Sequence, residues 1–415
     1  MNFLLVALPI IVLDILTFCG IKRTFPQFAS RYQQGIFYFF IFQSVVSVVI
    51  LFAGNFFDRQ ITNYQMFAWY YYFIGALVVL YAPKLIYVLF LMADCILATI
   101  SRLYRRHFDK FPRGSRRIVA RCGVCTSAFF ASVIVWGILF ERNSFSVDHV
   151  EILVDDLPSA FHGYKIVQIS DLHAGSFWSS RRFQKAVDLI NRQEPNLIVS
   201  TGDMVNNFAD ELTPLIPVFS QLKAPDGKYA VLGNHDYGGY SNWNHPDDSI
   251  ANHEALKNAV EQMGFVLLNN QSVVISRYNS DRMALIGIEN WGIKKRFPKR
   301  GDLEKAMEQV RDISFKVLLA HDPCIWHEQV EEKTDIVLTL SGHTHGMQMG
   351  VKLKEKRYGP ASLKQFSHLA GLYQTGKQYL YVNRGLGVIG FPGRIGMPPE
   401  ITVISLWKVK SSEQQ

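Results

Sequence analysis

Two histidines separated by one residue, His343 and His345, are the residues of this chain whose type and spacing most directly suggest chemistry. They lie within the sequence Ser-Gly-His-Thr-His-Gly, directly after the run 335–340, which is predicted to be a short buried strand. Alternate residues of an extended segment point the same way, so both imidazoles can face one site. Imidazole is a common metal ligand, but such a pair alone is a weak indication of a metal site, because most His-x-His pairs are ordinary loop histidines.

Four earlier clusters of metal-ligand residues occupy the same kind of position, each at the end of a predicted strand. The clusters are Asp171 with His173, Asp203, Asn234 with His235 and Asp236, and His321. In an α/β domain, ligands bind outside the carboxyl ends of the strands, where the loops bring distant residues together. We therefore expect the clusters to converge on one site.

The collected candidate ligands are two carboxylates, one amide oxygen and four imidazoles, without a thiolate. Such a set suits Mn²⁺, Fe or Zn²⁺ better than Ca²⁺ or Mg²⁺. Two ions about 3.5–4 Å apart can stabilise both the attacking and the leaving oxygen of a phosphoryl displacement. Singly, Asp171 could cap a helix and Asn234 could be a turn residue. Five clusters at five successive strand ends instead predict a centre for two metal ions.

The elements that must position these residues lie in 143–410, where strands and helices alternate as in an α/β domain. Strands are predicted at 150–153, 164–169, 197–200, 228–232, 265–275, 283–288, 316–320, 335–340, 379–383 and 401–408. Helices are predicted at about 180–192, 210–222, 251–263 and 303–310. We expect the Ser/Glu/Gln-rich tail, 411–415, to be disordered.

The first 142 residues have a different composition and are predicted to form an all-α transmembrane bundle of four helices. The four apolar segments are Phe3–Gly20, Ile36–Gly54, Phe67–Ile100 and Ile118–Phe140. The third is over-long and contains Pro83, so it could also split into two spans. Four spans place both basic loops in the cytoplasm, as the positive-inside rule prefers, whereas five would not. The domain 143–410 is therefore expected outside the cytoplasm.

The formal net charge of +8 is concentrated between residues 102 and 121. Because this basic stretch lies between two apolar segments, it predicts a loop at the membrane surface, and no nucleic-acid partner is expected. Of the five cysteines only Cys324 falls within 143–410, so that domain cannot carry an internal disulfide. Cys122 and Cys125 have the spacing of a redox motif but begin an apolar stretch.

The motifs resemble those of the calcineurin-like metallophosphoesterase superfamily, and most closely its membrane-anchored bacterial branch. The five matching motifs are Asp-Leu-His at 171–173, Gly-Asp at 202–203, Gly-Asn-His-Asp at 233–236, His-Asp at 321–322 and Gly-His-Thr-His at 342–345. The branch is echoed further by 371–373, 381–387 and 398–401. One departure is Met347, where the branch usually has a second glycine.

The resemblance implies a two-sheet αββα sandwich whose loops hold two divalent metal ions, Mn, Fe or Zn. It assigns Asp171, His173 and His345 to one ion, Asn234, His321 and His343 to the other, and Asp203 to both. A metal-bridging hydroxide would be the nucleophile. His235 would protonate the leaving oxygen or stabilise the phosphoryl charge, and Asp236 would orient its ring.

Two further features are candidates for substrate contact. Arg384 and Arg394 lie in Gly-rich loops, and Arg384 is predicted to bind the substrate phosphate. The aromatic loop 237–253, with Tyr240 and Trp243, is predicted to shape the pocket, whereas its histidines are expected to be bystanders.

Taken together, these features predict a membrane-anchored metallophosphoesterase that hydrolyses a phosphodiester or pyrophosphate, with lipid-linked phosphates among the possible substrates. The expected partners are the bilayer and the phosphate ester, and the expected location is a bacterial inner or cell membrane with a periplasmic catalytic domain. One alternative is a UDP-2,3-diacylglucosamine-type pyrophosphatase, whose cytoplasmic substrate conflicts with the predicted topology. The other is a non-catalytic membrane scaffold or sensor on the same fold, which the complete ligand set disfavours.

Overall fold

The computed structural model describes residues 3–58, 64–105, 116–177, 179–278, 281–292, 299–354, 356–360 and 368–409. The chain forms two compact units. The helical unit comprises residues 1–60 and 72–138, and the α/β unit comprises residues 61–71 and 139–415. The expected disordered tail, 411–415, and much of the basic loop before the last apolar segment lie outside the described residues.

Long apolar helices make up the N-terminal region. Its helices are α1 (Phe3–Thr24), α2 (Pro26–Arg31), α3 (Gln33–Asp58), α4 (Tyr64–Arg105) and α5 (Arg116–Leu139). Within the described residues, three stretches are long and apolar enough to cross a membrane, Gln33–Phe52, Tyr64–Leu103 and Ile118–Asn143. The first predicted span lies within α1, which is not among these three stretches of the described residues. The third remains one helix of 42 residues through Pro83, so the possible split into two spans does not occur.

Buried carboxylates of the helical unit are each paired with a basic side chain. Asp14, 3% exposed, forms an ion pair with Lys84. It also accepts hydrogen bonds from the hydroxyl groups of Ser44 (2.5 Å) and Tyr81 (3.0 Å). Asp94, 2% exposed, is paired with Arg23. Charged groups within apolar helices are costly unless paired, so these contacts satisfy the charge locally.

The α/β unit is a pair of six-stranded sheets with helices outside them. Its strands are β1 (Ser146–Val154), β2 (Tyr164–Ile169), β3 (Leu197–Ser200), β4 (Lys228–Ala230), β5 (Val266–Leu267), β6 (Gln271–Arg277), β7 (Asp281–Gly287), β8 (Lys316–Leu319), β9 (Leu338–Ser341), β10 (Val351–Leu353), β11 (Lys356–Tyr358), β12 (Gly371–Thr375), β13 (Gln378–Val382) and β14 (Glu400–Lys408). Its helices are α6 (Arg181–Asn191), α7 (Ile216–Phe219), α8 (Pro246–Gln262) and α9 (Leu303–Met307).

Strand direction brings the predicted ligand loops to one end of the sandwich. The first sheet has the order β1-β14-β2-β3-β4-β5 and the second β12-β13-β9-β8-β7-β6. Strands β2 to β5 are mutually parallel, as are β7, β8, β9 and β13. The loops after β2, β3, β4, β8 and β9 carry the predicted ligands, and we call the end where they meet the ligand end.

The core divides into three layers because successive side chains of a strand face opposite sides. On β2, Ile166 packs between the two sheets with Val199 and Leu340. The next residue, Val167, faces the opposite way and packs with Phe183 of α6. Outside the second sheet, residues of β7 and β8 pack against α9 and Trp326. The predicted αββα sandwich is confirmed.

Several predicted elements were wrong in extent. β1 begins four residues before the strand predicted from 150, and α8 begins five residues before the helix predicted from 251. The helix predicted over 210–222 is reduced to a 3₁₀ turn at Ala209–Glu211 and the four-residue α7. Pro214 and Pro217 lie in this segment, and proline cannot donate the hydrogen bond that continues a helix. The strand predicted over 265–275 is interrupted between β5 and β6, where Asn270 has a positive φ of 55°. Strands β10, β11 and β12 were not predicted.

Candidate metal centre

The predicted ligands lie on tight turns that immediately follow buried strands. Five of them have left-handed backbone conformations that non-glycine residues rarely adopt. They are Asp171 (φ 49°), His173 (φ 41°), Asp203 (φ 53°), His343 (φ 71°) and His345 (φ 53°). Such conformations persist only where the surrounding structure enforces them, and they cluster at functional sites.

Asp236 is one of the groups that enforce these turns. Its carboxylate accepts hydrogen bonds from the backbone N–H groups of Asp203 (2.8 Å), Met204 (2.9 Å) and Gly233 (2.8 Å). Burial, helped by the neighbouring Asp203 carboxylate, raises the pKa of Asp236 to about 7. The side chain therefore ties the turn after β3 to the turn after β4.

Glu211 plays the same part for the turns after β2 and β3. This buried carboxylate accepts hydrogen bonds from the backbone N–H groups of Gly175 (2.8 Å), Asn206 (2.6 Å), Asn207 (2.9 Å) and Phe208 (3.0 Å). Four backbone donors on one carboxylate leave little freedom to the loops that carry them. Nothing in the sequence distinguishes Glu211 from a surface glutamate, so no role was predicted for it.

Glycines allow backbone N–H groups to approach the carboxylates closely. A Cβ at Gly342 would lie 2.3 Å from Asp171 Oδ2, and a Cβ at Gly233 would lie 2.2 Å from Asp203 Oδ1. The neighbouring N–H groups donate hydrogen bonds instead, from His343 to Asp171 (3.1 Å) and from His235 to Asp203 (2.8 Å). Side chains at the two glycine positions would displace the carboxylates.

The first ligand cluster contains Asp171, His173 and His345, whose donor atoms all lie within 4.8 Å of one another. The Nε2 atom of His345 is 3.2 Å from Asp171 Oδ1 and 3.0 Å from the Nε2 atom of His173. All three side chains are buried. Two ring nitrogens this close can satisfy each other only if one carries a proton; otherwise they share a cation.

The second ligand cluster contains Asp203, His321 and His343 within the same distance limit. The Nε2 atom of His321 is 3.1 Å from Asp203 Oδ2 and 3.2 Å from His343 Nδ1. On its other side, His321 Nδ1 donates to the Thr201 carbonyl (2.7 Å), which leaves Nε2 as the ligand atom. The same Asp203 Oδ2 is 3.7 Å from His173 Nε2, so Asp203 lies between the two clusters.

Asn234 has a buried oxygen without a hydrogen-bond partner. Its Nδ2 atom donates to the Tyr240 hydroxyl at 2.9 Å, whereas its Oδ1 atom is buried and unsatisfied among the described residues. Leaving a buried polar atom unpaired is costly and uncommon. This oxygen is an available donor for a cation.

The electrostatics of the site favour added positive charge. Burial would raise the pKa of Asp203, but the charges of His321 and His235 outweigh it and hold the pKa well below its usual range. Burial would lower the pKa of His321, but the Asp203 carboxylate raises it to about 10. Burial lowers the pKa values of His173 and His343, which keeps their rings neutral as metal binding requires.

His235 lies against the first cluster, with its ring 4.9 Å from the His173 ring. Its Nδ1 atom donates to the Asn206 carbonyl at 2.8 Å. The structure gives no support to the prediction that Asp236 orients this ring, because both Asp236 oxygens accept backbone N–H groups instead. The Asn206 backbone orients it instead, and a carbonyl acceptor cannot be identified from residue types.

Neither arginine of the Gly-rich loops has a guanidinium free to bind phosphate. Arg384 is 2% exposed and paired with Glu400 (2.8 Å) and Asp148 (3.0 Å). Arg394 is buried and donates to the backbone carbonyls of Arg384 and Gly387, both at 2.7 Å. The structure thus does not support the phosphate-binding role predicted for Arg384, because two carboxylates already hold its charge.

The aromatic loop borders the site through Tyr240, whose ring is 4.4 Å from that of His235 and whose residue is 39% exposed. Trp243 packs on Phe208 with ring centroids 5.3 Å apart and supports the loop from beneath. His253 stacks on the ring of Tyr237, next to the loop's start. The predicted pocket wall therefore has one exposed aromatic side chain beside the candidate acid.

The donor set fits divalent metal ions: the two clusters contain two carboxylates and four imidazoles, and Asn234 adds one unsatisfied amide oxygen. Oxygen and imidazole donors without thiolate suit Mn²⁺, Fe or Zn²⁺. The ligand set predicted from the sequence is thus brought together at the ligand end, although its assignment to individual ions stays a prediction.

Two family models match the chain, one on each region. Residues 164–347 match the calcineurin-like phosphoesterase model, and residues 1–142 match a model described as the transmembrane domain of a probable calcineurin-like phosphoesterase. The chain is also 32% identical over 256 residues to the uncharacterized metallophosphoesterase YkuE of Bacillus subtilis, covering 60% of this chain and 81% of that protein.

Relatives are also found in animals. A transmembrane protein with metallophosphoesterase domain from Bos taurus is 29% identical over 334 residues, which cover 77% of this chain and 71% of the relative. Among solved structures, a dimetal phosphatase from Danio rerio is 12% identical with a TM-score of 0.32, over 54% of this chain and 88% of that one. A likeness this slight carries no weight beyond the family match.

Proposed function

The chain is a membrane-associated member of the calcineurin-like metallophosphoesterases, and we propose that it hydrolyses phosphodiester or pyrophosphate bonds at a centre of two metal ions. The observation that carries this proposal is the position of Asp203 between two buried ligand clusters, 3.1 Å from His321 on one side and 3.7 Å from His173 on the other. One carboxylate oxygen placed between two clusters is suited to bridging two cations.

In this proposal Asp171, His173 and His345 hold one ion, and His321, His343 and Asn234 hold the other. The unsatisfied Oδ1 atom of Asn234 supports its inclusion. Bound divalent ions would supply Lewis acidity toward the phosphoryl oxygens and lower the pKa of water to near neutrality. The remaining steps depend on the protein's own side chains.

His235 is proposed to handle the proton of the leaving oxygen. Since its Nδ1 atom is bonded to the Asn206 carbonyl, the proton transferred would be on Nε2. Burial lowers the pKa of His235, so its protonated form is a stronger acid than an exposed imidazolium. Tyr240, packed on the same ring, is placed to contact the organic part of the leaving group.

We further propose that the substrate is a lipid-linked phosphate and that the metal centre lies outside the cytoplasm. The membrane region supports the first proposal, because it keeps the enzyme at a bilayer. The basic residues that precede α5 support the second, because such loops stay in the cytoplasm. A UDP-diacylglucosamine-type substrate, which is made in the cytoplasm, would be favoured if the orientation were the opposite one.

The experiment uses the full chain in detergent micelles with Mn²⁺, assayed on bis-p-nitrophenyl phosphate and p-nitrophenyl phosphate. Wild type would be compared with Asp203→Asn and His235→Ala. Diester turnover by wild type that both variants lose supports the proposal. Cleavage of the monoester alone would replace the diesterase by a phosphomonoesterase. A metal-loaded wild type that turns over neither compound would contradict the hydrolase proposal and favour the scaffold alternative.

A further inference from the structure

A small hairpin formed by β10 and β11 stands apart from both large sheets. The two strands pair antiparallel with each other as a separate two-stranded sheet, with Val351 opposite Tyr358 and Leu353 opposite Lys356. Because side chains alternate along a strand, Val351, Leu353 and Tyr358 share one face. We call these three residues the apolar hairpin face.

The apolar hairpin face is open within the described structure. Its residues are 57% (Val351), 60% (Leu353) and 47% (Tyr358) exposed. A patch of adjoining, strongly exposed apolar side chains marks an interaction site more often than a single exposed residue does. We therefore expect the apolar hairpin face to bind a partner.

The opposite face of the hairpin is anchored to the α/β unit, which fixes the direction of the apolar face. Arg357, paired with Lys352 across the hairpin, donates to the Gly396 carbonyl at 3.3 Å and lies 3.9 Å from the Asp148 carboxylate. Both basic side chains line a cavity of about 490 Å³ between the hairpin and β1. The hairpin is thus attached to the α/β unit through this basic face.

The root of the hairpin is continuous with a ligand loop. Val351 follows His345 by six residues. The N–H group of Gly350 donates to the Ile395 carbonyl, and that of Ile395 donates to the Gln348 carbonyl, both at 2.8 Å. Whatever the apolar hairpin face binds is therefore held close to the ligand end of the sandwich.

Charge distinguishes between the possible partners. On the side of the apolar hairpin face, exposed Lys354 follows Leu353 directly and Lys356 pairs with Leu353 in the register, with one acidic residue, Glu355, between them in the sequence. Apolar and aromatic side chains interleaved with lysines suit the boundary between acyl chains and anionic headgroups. This chain is itself membrane-associated, so a bilayer is always present at high effective concentration.

We propose that the apolar hairpin face inserts into the surface of an anionic bilayer and holds the metal centre next to the lipid headgroups. Val351 and Leu353 would enter the acyl boundary, Tyr358 would lie at headgroup level, and Lys354 would contact lipid phosphates. The membrane contact does not depend on the proposed catalysis. Its use in presenting a lipid-linked substrate to the metal centre does rest on the proposed function.

The test measures the hairpin's environment directly, in the full chain reconstituted into nanodiscs. A spin label is attached at Leu353→Cys after the five native cysteines are replaced by serine. Its accessibility to oxygen, which is enriched in lipid, is compared with its accessibility to a water-soluble nickel chelate. The matched control is a label at Tyr278→Cys, because Tyr278 is 83% exposed and follows β6 at the end opposite the ligand end.

If the apolar hairpin face is inserted, oxygen should relax the spin label at residue 353 more strongly than the nickel chelate does. The control label at residue 278 should show the reverse. Phosphatidylglycerol discs should give deeper insertion than phosphatidylcholine discs, because the lysines add electrostatic attraction. A label at 353 that is as water-accessible as the control in both kinds of disc would overturn the proposal.

A kinetic comparison separates this surface from the catalytic proposal. The double variant Val351→Asp/Leu353→Asp should lower turnover of a disc-embedded lipid phosphodiester by about tenfold, because two apolar side chains lose their lipid contact. Turnover of bis-p-nitrophenyl phosphate should stay within about twofold of wild type, since no ligand is altered. Equal loss on both substrates would overturn the lipid-presenting role, whereas inactive wild type would instead count against the proposed function.

Discussion

The helical unit and the α/β unit both bury carboxylates, but they compensate the buried charge in different ways. In the helical unit, Asp14 is paired with Lys84 and Asp94 with Arg23, so each negative charge has its own positive partner. In the α/β unit, Asp171 and Asp203 face imidazoles, and among the described residues neither forms an ion pair with lysine or arginine.

The two units also differ in how the polar groups around their buried carboxylates are satisfied by hydrogen bonds. The Asp14 carboxylate accepts from Ser44 and Tyr81, so it is satisfied by donors. At the ligand end, the Nε2 atoms of His173 and His345 face each other at 3.0 Å, and Asn234 Oδ1 has no partner. A buried site with more acceptors than donors is incomplete without a cation. The Asp14 group of the helical unit is therefore satisfied by protein contacts, whereas the ligand clusters of the α/β unit are arranged to bind metal.

Removing the shared carboxylate should give the largest effect. Asp203→Asn takes away the negative charge between the two ligand clusters, so phosphodiesterase activity should fall beyond the roughly 10–100-fold loss typical of residues that only support a ligand. Steady-state turnover of bis-p-nitrophenyl phosphate with Mn²⁺ measures this. Asp188→Asn, at an exposed carboxylate on α6, is the control and should leave activity unchanged. Near-normal activity in Asp203→Asn would contradict the inference that the buried Asp203 carboxylate serves metal binding.

The Asp14–Lys84 ion pair of the helical unit should be replaceable as a pair, because each charge only neutralises the other. Lys84→Met strands the Asp14 carboxylate in an apolar bundle and should cost about 3 kcal/mol of stability. The double variant Asp14→Asn/Lys84→Met should recover most of this loss, since no unpaired charge remains. Thermal unfolding in detergent micelles reports both results. A double variant no more stable than the single one would show that the loss of stability does not come from the unpaired Asp14 charge.

Glu211 tests whether the loops, as distinct from the ligands, set the chemistry. Glu211→Gln places an NH₂ group against backbone N–H donors and should lower kcat about 10–100-fold, because Asn206 then no longer orients His235. The Mn²⁺ affinity should change less than kcat, since Glu211 contacts no ligand side chain. Glu254→Gln, at an exposed glutamate, is the matched control. Equal losses in metal affinity and kcat would indicate a general loss of structure.

The smallest expected effect concerns Met347, in the turn that follows His345. Its φ of 58° is left-handed, so Met347→Gly should relieve about 1 kcal/mol of backbone strain. The melting temperature should rise by about 2–4 °C. Met349 is the control, because its φ of −136° suits any residue and a glycine there should destabilise. A lower melting temperature for Met347→Gly would show that side-chain packing outweighs strain at this turn.

The sequence predicted the ligand set better than it predicted the residues that support it. Asp203 and His345 follow short apolar runs whose length favours buried strands, so their positions at strand ends followed from the sequence. The roles of Asp236 and Glu211 depend on backbone N–H groups from distant turns, which residue types do not encode. Arg384 was assigned to substrate for its charge, but its orientation depends on Asp148, on the edge strand β1.

The fold shows the same division between what patterns specify and what tertiary contacts decide. Continuous apolar strands such as β2 and β3 were predicted with their observed bounds. β12 was missed because it is an edge strand with mixed polarity. The hairpin of β10 and β11 was missed because its apolar face is exposed and covers no core.

Metal content is the measurement that tests the central claim most directly. The full chain, purified with Mn²⁺ and dialysed, would be analysed by inductively coupled plasma mass spectrometry beside Asp203→Asn. The account predicts about two ions per wild-type chain and a clear loss of bound metal in the variant. Wild type without stoichiometric metal, or a variant that retains as much as wild type, would contradict a two-metal centre built around Asp203.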